Sequence, residues 1–392
     1  ILFLMSACAN GDSQPEQFQA TEQTTVQPTT MSEEEINDQK LDRFISNMKL
    51  EEKVGQMFFV RCPDEDAVQQ VREYNIGGYI LFGRDFDGKT KDEVINCIQS
   101  YQDEADIPLL IGVDEEGGTV VRVSSNPNLR EAPFLSPRDT YSSGGWDAVK
   151  QDAEEKADLL LSLGINVNLA PVCDMTSDEY GFMYDRSFSS DVDMENRFVR
   201  TVVETSKSKK LGTVLKHFPG YGNNSDTHTG IAYDDRDYSE FENTDFKPFY
   251  QGIESGADCI LVSHNIVNCM DSEYPASLSQ KVHDILRNDF RFDGVIMTDD
   301  LIMDAITDFT GDEAAAVTAA KCGNDLLCCS SVDTQYPAVL EAVQSGKIPE
   351  AQVDASVKRI LKWKQNLGIF NIDTYQKKVK STETTDTVGS EE

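Results

Sequence analysis

LGTVLKHFPGYGNNSDTHTG, residues 211–230, is the stretch that decides how this chain is read. It opens on an apolar run, 211–215, of strand length and composition. The run gives way to Lys216 and His217, then to a loop built on Pro219, Gly220 and Gly222, turn formers that continue neither a strand nor a helix. Asp226 and His228 come next, one residue apart, and Gly230 closes the loop. The chain has 4 histidines, and two of them fall here. A strand that stops at Lys-His and hands over to an Asp-x-His loop has the make-up of a catalytic centre: a fixed cation at a strand end beside a titratable pair.

Outward from this stretch the same grammar repeats. Short apolar runs lie at 55–60, 77–82, 108–113, 165–171, 211–215, 258–262, 294–297 and 325–329. Amphipathic stretches separate them, at 64–74, 91–104, 146–163, 191–210, 240–255, 279–290, 312–321 and 335–345. Strands alternating with helices predict a parallel α/β fold, and eight strands are the number that closes a TIM-type (β/α)8 barrel. A doubly wound open sheet fits less well, since no G-x-G-x-x-G turn comes after the first run. The spacing predicts one catalytic barrel over residues 32–372, opened by Ser32 as a helix cap. No second domain fits after it.

Both ends differ from this body. Residues 1–8, ILFLMSAC, resemble the tail of a bacterial lipoprotein signal, with Cys8 as the lipid attachment site. Residues 9–31 are rich in Gln, Thr, Ser and Glu and are expected to be a disordered tether, and the acidic, threonine-rich residues 373–392 a disordered tail. The expected location is therefore extracytoplasmic, on the cell envelope, with a membrane reached through the lipid anchor only. A formal charge of −34 excludes nucleic acid and anionic membrane surfaces as partners. The histidines and cysteines show neither H-E-x-x-H nor paired C-x-x-C spacing, so no metal and no cofactor are expected.

The residues that close each run carry the chemistry. The third ends at Asp114, the fourth at Asp174, the fifth at Lys216-His217, the sixth at His264, the seventh at Asp299-Asp300 and the eighth at Ser330-Ser331. Single Asp or Ser residues there serve as helix caps; Lys, His and a double Asp are harder to explain that way. The C-terminal ends of barrel strands are where such a fold keeps its active site. Asp299 is placed to act as a nucleophile, with Asp300 expected to point elsewhere by strand alternation. His228, its tautomer set by Asp226, is the candidate acid/base. Asp114, Arg122, Arg186, Lys216 and His217 would bind substrate hydroxyls. Alternatively Asp114 and Arg122 form an ion pair bracing the turn at Gly117-Gly118, and Arg186 a similar salt bridge.

The segments GGYILFGRDF, IGVDEEGGTVVRV, NVNLAPVCDM, DRSFSSD, LKHFPGYGNNSDTH, PASLSQKVHDILRNDFRFDGVIMTDDL and RILKWKQNLGIF resemble glycoside hydrolase family 3, in its bacterial β-N-acetylglucosaminidase branch. They span residues 50–370. The resemblance implies retaining hydrolysis of terminal β-linked N-acetylglucosamine; cell-wall muropeptides or related glycans are the expected substrates, and a monomer the expected state. It implies Asp299 as nucleophile, His228 as acid/base, Asp226 as its partner, and Asp114, Arg122, Arg186, Lys216 and His217 as sugar-binding positions. Tyr221 stands where the family pattern has a second histidine, and the spacing to the Asp-x-His pair is one residue short. Three other readings compete: a β-N-acetylglucosaminide phosphorylase or other β-glycosidase of the family, an aldolase using Lys216 as a Schiff-base amine, and a lipid-tethered sugar-binding protein without turnover.

Overall fold

The computed structural model describes residues 31–222, 230–310 and 312–377. Cys8, Asp226 and His228 lie outside the described residues. Eight strands form one parallel sheet: β1 (Phe58–Arg61), β2 (Gly78–Leu81), β3 (Leu110–Val113), β4 (Val167–Asn168), β5 (Gly212–Phe218), β6 (Cys259–Val262), β7 (Val295–Thr298) and β8 (Leu327–Cys329). Each strand pairs with the next as far as β7, and β8 pairs back onto β1 with Phe58 opposite Leu327. The ring closes between β7 and β8 through the Met297–Leu326 bridge, the Thr298 N–H to Leu326 carbonyl bond of 3.1 Å, and the Cys328 N–H bonded at 3.0 Å to Thr298 Oγ1. This is the expected TIM-type barrel.

Strand residues are buried almost throughout, because the barrel interior is packed on one face and helices cover the other. The helices match their sequence signals with some shifts. Ser32 and Thr90 each make a capping box, with Glu35 and Glu93. The amphipathic stretch at 146–163 is the second half of a longer element, Pro137–Ser162, interrupted at Gly144 and Gly145, where Gly145 has φ +64°. The stretch at 240–255 is two helices, Tyr238–Asn243 and Phe246–Glu254, separated at Thr244 by non-helical backbone.

The largest departure is β5, whose apolar run predicts an end at Leu215 but which continues through Lys216 and His217 to Phe218. Its pairing with β6 loses regular register between Leu215 and Phe218. Plain alternation would send neighbouring side chains to opposite faces; at this irregularity both Lys216 and His217 reach the same cavity.

At the opposite end of the barrel the helix Glu350–Asn366 locks onto the strand bases. The Asp325 carboxylate accepts from Ile296 N at 2.9 Å, Ser356 Oγ at 2.8 Å and Arg359 Nη1 at 3.0 Å. The helix Glu33–Ser46 lies against it: Asn37 and Gln365 exchange side-chain amide bonds of 3.0 Å, and Lys362 pairs with Asp38 at 2.6 Å. Tyr375 packs on Phe44 and Phe370, so ordered contacts extend past residue 372, beyond which composition predicts a disordered tail.

Candidate active site at the strand ends

The cleft at the C-terminal ends of the strands encloses about 380 Å³, within the range of small-molecule sites. Asp114, Arg122, Arg186, Lys216, His217 and Asp299 all line it. Its organiser is a residue that sequence reasoning missed, Glu116. This carboxylate is 5 % exposed and receives Arg186 in a two-pronged pair, Nε to Oε2 at 2.9 Å and Nη2 to Oε1 at 2.8 Å. Lys216 Nζ stands 2.6 Å from Glu116 Oε1 and donates at 2.6 Å to Asp114 Oδ1. Burial alone would raise the Glu116 carboxyl; Arg186 and Lys216 outweigh it and hold the group well below the usual range. Burial alone would lower Lys216; Asp114 and Glu116 reverse that and keep the amine charged.

His217 extends the network. Its Nδ1 donates to Asp174 Oδ2 at 2.7 Å, and Nε2 accepts from Arg186 Nη2 at 3.2 Å, an arrangement that puts the ring proton on Nδ1. Asp174 also takes the backbone N–H groups of His217 and Tyr221, at 3.0 and 2.7 Å, and is 1 % exposed. It orients the imidazole from behind. Tyr221, the departure from the family pattern, is buried with its ring edge-on to His217 and Phe182.

Asp114 does not pair with Arg122. The turn at Gly117-Gly118 is braced instead by Glu115, whose carboxylate accepts from Arg122 N at 2.9 Å and Val123 N at 2.7 Å, and from the Ser124 hydroxyl. Gly117 sits at φ +105°, and a Cβ there would meet the Leu135 carbonyl at 2.1 Å, so no other residue fits the turn. Arg186, by contrast, is both a buried salt bridge and a wall of the cleft.

Asp299 and Asp300 both line the cleft. β7 ends at Thr298, so strand alternation no longer governs these two residues. Their environments still differ. Asp300 accepts from Ser330 Oγ at 2.7 Å and Ile302 N at 3.2 Å, and burial, then the Asp299 charge, raises its carboxyl above the ordinary value. The Asp300 carbonyl accepts from His264 Nε2 at 3.0 Å, and Ser277 Oγ lies 2.7 Å from the other ring nitrogen. His264 is thus a buried brace behind the Asp pair, with no face on the cleft.

The sequence signal for Glu116 was slight: it stands two residues from Asp114, past the end of β3 at Val113, and only the fold brings both acids to Lys216. Arg61, at the end of β1, also lines the cleft and carried no sequence signal.

A closed parallel barrel whose strand ends converge on fixed acids, cations and an imidazole defines a barrel enzyme built to hold a polar, hydroxyl-rich ligand. Residues 49–363 match the glycosyl hydrolase family 3 N-terminal domain, and the chain belongs to that family, the glycoside hydrolases its sequence resembles. It is 32% identical over 258 residues to a β-hexosaminidase of Hydrogenovibrio crunogenus, covering 64% of this chain and 71% of that protein. It is 30% identical over 322 residues to the β-hexosaminidase LpqI of Mycobacterium tuberculosis, covering 79% and 81%. Among solved structures, a family 3 β-N-acetylglucosaminidase from Paenibacillus sp. FPU-7 superposes with a TM-score of 0.76 at 28% identity, covering 88% of this chain and 66% of that one.

Proposed function

We propose that this protein is a retaining, exo-acting β-N-acetylglucosaminidase that removes terminal N-acetylglucosamine from cell-wall muropeptides or related glycans. The observation that carries the reading is the convergence of Asp299 with Asp114, Arg186, Lys216 and His217 in one cleft, in a chain whose relatives bear hexosaminidase names. Two cations neutralised by buried acids present hydrogen-bonding groups that are fixed before the ligand arrives, so sugar hydroxyls meet donors and acceptors that need no reorganisation.

Asp299 attacks the anomeric carbon and forms a glycosyl-aspartate, while the leaving oxygen takes a proton from His228. Water then attacks the same carbon, His228 accepts its proton, and the aspartate leaves. Asp226 sets the tautomer of His228 and stabilises its charged form. These two roles come from the family pattern of the sequence, since both residues lie outside the described region. Asp300 is held by Ser330 and Ile302 and serves as a support for Asp299. Asp174, whose two oxygens are committed to His217 and Tyr221, is a poor substitute for the acid. A Schiff-base role for Lys216 is disfavoured because that chemistry needs a neutral amine, and Lys216 is held charged between two carboxylates. The protein acts as a monomer, tethered to the membrane through lipid on Cys8.

The test is leaving-group dependence. A poor leaving group needs its oxygen protonated as the bond breaks, whereas a dinitrophenolate departs unaided. His228→Ala is expected to lose on the order of 10²–10⁴ more rate on a disaccharide or muropeptide than on a dinitrophenyl glycoside, and azide should accelerate the variant. Equal loss on both substrates would remove His228 from the acid/base role.

A further inference from the structure

Arg236 is no part of the cleft lining among the described residues, yet its guanidinium reaches the backbone of the cleft wall. Two buried acids share it: Nε and Nη2 donate to Asp234 at 2.7–3.1 Å, and Nη1 to Asp245 at 2.9 Å. Burial alone would lower the pKa of Arg236; the two carboxylates reverse that and keep it charged. The acids are themselves fixed. Asp234 stands on the short strand Tyr233–Asp234, paired with Ile266–Val267, and Asp245 takes the Thr244 hydroxyl at 2.7 Å where the helix Phe246–Glu254 begins. The guanidinium carbon lies 4.2 Å from the centroid of the Phe241 ring. These contacts account for the charge and the place of Arg236, but not for one further bond: Nη2 also donates to the Gly220 carbonyl at 3.2 Å.

That carbonyl belongs to the Gly220–Tyr221 peptide, whose N–H donates at 2.7 Å to Asp174 Oδ1. The other Asp174 oxygen holds the His217 ring. A peptide unit is planar, so a tilt that freed the carbonyl would swing the N–H off Asp174 as well. The fit around this peptide is close: a Cβ on Gly220 would meet Asp245 Oδ1 at 2.3 Å, and one on Gly222 the Arg236 guanidinium carbon at 2.8 Å. We propose that Arg236 is a positioning residue for His217, acting through the Gly220–Tyr221 peptide and Asp174. It fixes the acid that fixes the imidazole, and with it the Tyr221 ring set edge-on to His217. The relay stands whether or not the protein cleaves glycosides; only one arm of its test rests on that reading.

The experiment is NMR of the chain carrying isotope-labelled histidine, in which 4 residues give ring signals. His217→Ala identifies the His217 signal by its loss. Arg236→Lys keeps a charge for Asp234 and Asp245 but has one nitrogen in place of a fork, so it cannot also serve Gly220. It is expected to shift or broaden the His217 ring signal and to leave those of His264 and His283 as in the parent. On an aryl N-acetyl-β-glucosaminide it raises KM roughly 3-fold to 30-fold, the range for residues coupled through a network. In the His217→Ala background it adds nothing to KM. An unchanged His217 signal overturns the relay. So do equal shifts of all the histidines, which mark a general structural role, and a KM change that persists in full without His217. If Arg236→Lys does not fold, Gly222→Ala takes its place, since its Cβ displaces the guanidinium while both acids and the charge remain. If the parent cleaves no glucosaminide, the glycosidase reading fails on its own, and the histidine signals still decide the relay.

Discussion

Lys364 offers a measurement in which a single buried amine can be isolated. It lies on the helix Glu350–Asn366 with 0 % exposure, and its Nζ donates to Gln56 Oε1 at 2.7 Å. Burial drives its pKa down from the ordinary 10.5 to about 7. Between those two values the unfolded chain carries a proton that the folded chain does not, so folding stability rises with pH across that window. The slope is about 1.4 kcal/mol per pH unit, and the accumulated cost at neutral pH is on the order of 5 kcal/mol relative to pH 10.5. Lys364→Met keeps the length of the side chain and removes the charge. It also deprives Gln56 of its donor, which costs roughly 1–3 kcal/mol independently of pH. The variant is therefore expected to be more stable at pH 7 by about 2–4 kcal/mol, with the advantage shrinking steadily as pH approaches 10. Urea unfolding of both proteins at pH 7, 8 and 9, monitored by circular dichroism, gives the difference curve, in which other titrating groups cancel. A flat difference, or a variant that is less stable by the same amount at every pH, would refute the reasoning.

Other expected outcomes concern the cleft and the N-terminal cysteine. A 2-fluoro sugar that traps the intermediate should label Asp299, and Asp299→Ala should abolish turnover. Asp300→Ala should only weaken it, through loss of the Ser330 and Ile302 contacts; a label on Asp300 would exchange the two roles. Glu116→Gln should cost about 3–5 kcal/mol of stability by leaving Arg186 without its carboxylate and Lys216 with Asp114 alone, measured by thermal or urea unfolding. Because the Glu116 carboxyl is held low in the folded state, its contribution is present above its ordinary value of 4.5 and fades as pH falls through the folded value; the gap between parent and variant should close in acid. Cys8→Ser should move activity from the membrane to the soluble fraction, and unchanged fractionation would exclude lipid on Cys8.

The barrel was legible because its signal is repetitive: each apolar run is short, and each gives way to polar groups and then an amphipathic stretch. Asp114, Lys216 and Asp299 were legible for a related reason, since a charged residue at the end of an apolar run has few structural uses. Glu116 was missed because it abuts Gly117-Gly118 and reads as the start of a turn, while its partners Arg186 and Lys216 lie far off in sequence. The end of β5 was misplaced because charged residues normally signal a strand's exit, and here Lys216 is matched by two acids, Asp114 and the buried Glu116, that sequence separation hides. Arg61 gave no signal at all, because what distinguishes it is its three-dimensional place, over the Phe82 ring in the cleft wall.

The meeting of the helices Glu33–Ser46 and Glu350–Asn366 turns the folded body into a ring with a seam. Asn37 and Gln365, Lys362 and Asp38, and Lys40 and Asp373 at 2.6 Å stitch that seam on the side of the barrel away from the cleft. Since β8 already pairs with β1, every strand keeps both neighbours wherever the backbone is cut. A permuted chain, with Lys377 joined to Ser32 by a short Gly-Ser linker and new ends opened at Gly88, where a side chain would meet nothing, should rebuild the same cleft. Cargo fused at Ser32 or Lys377 would likewise hang from the base and leave the mouth open.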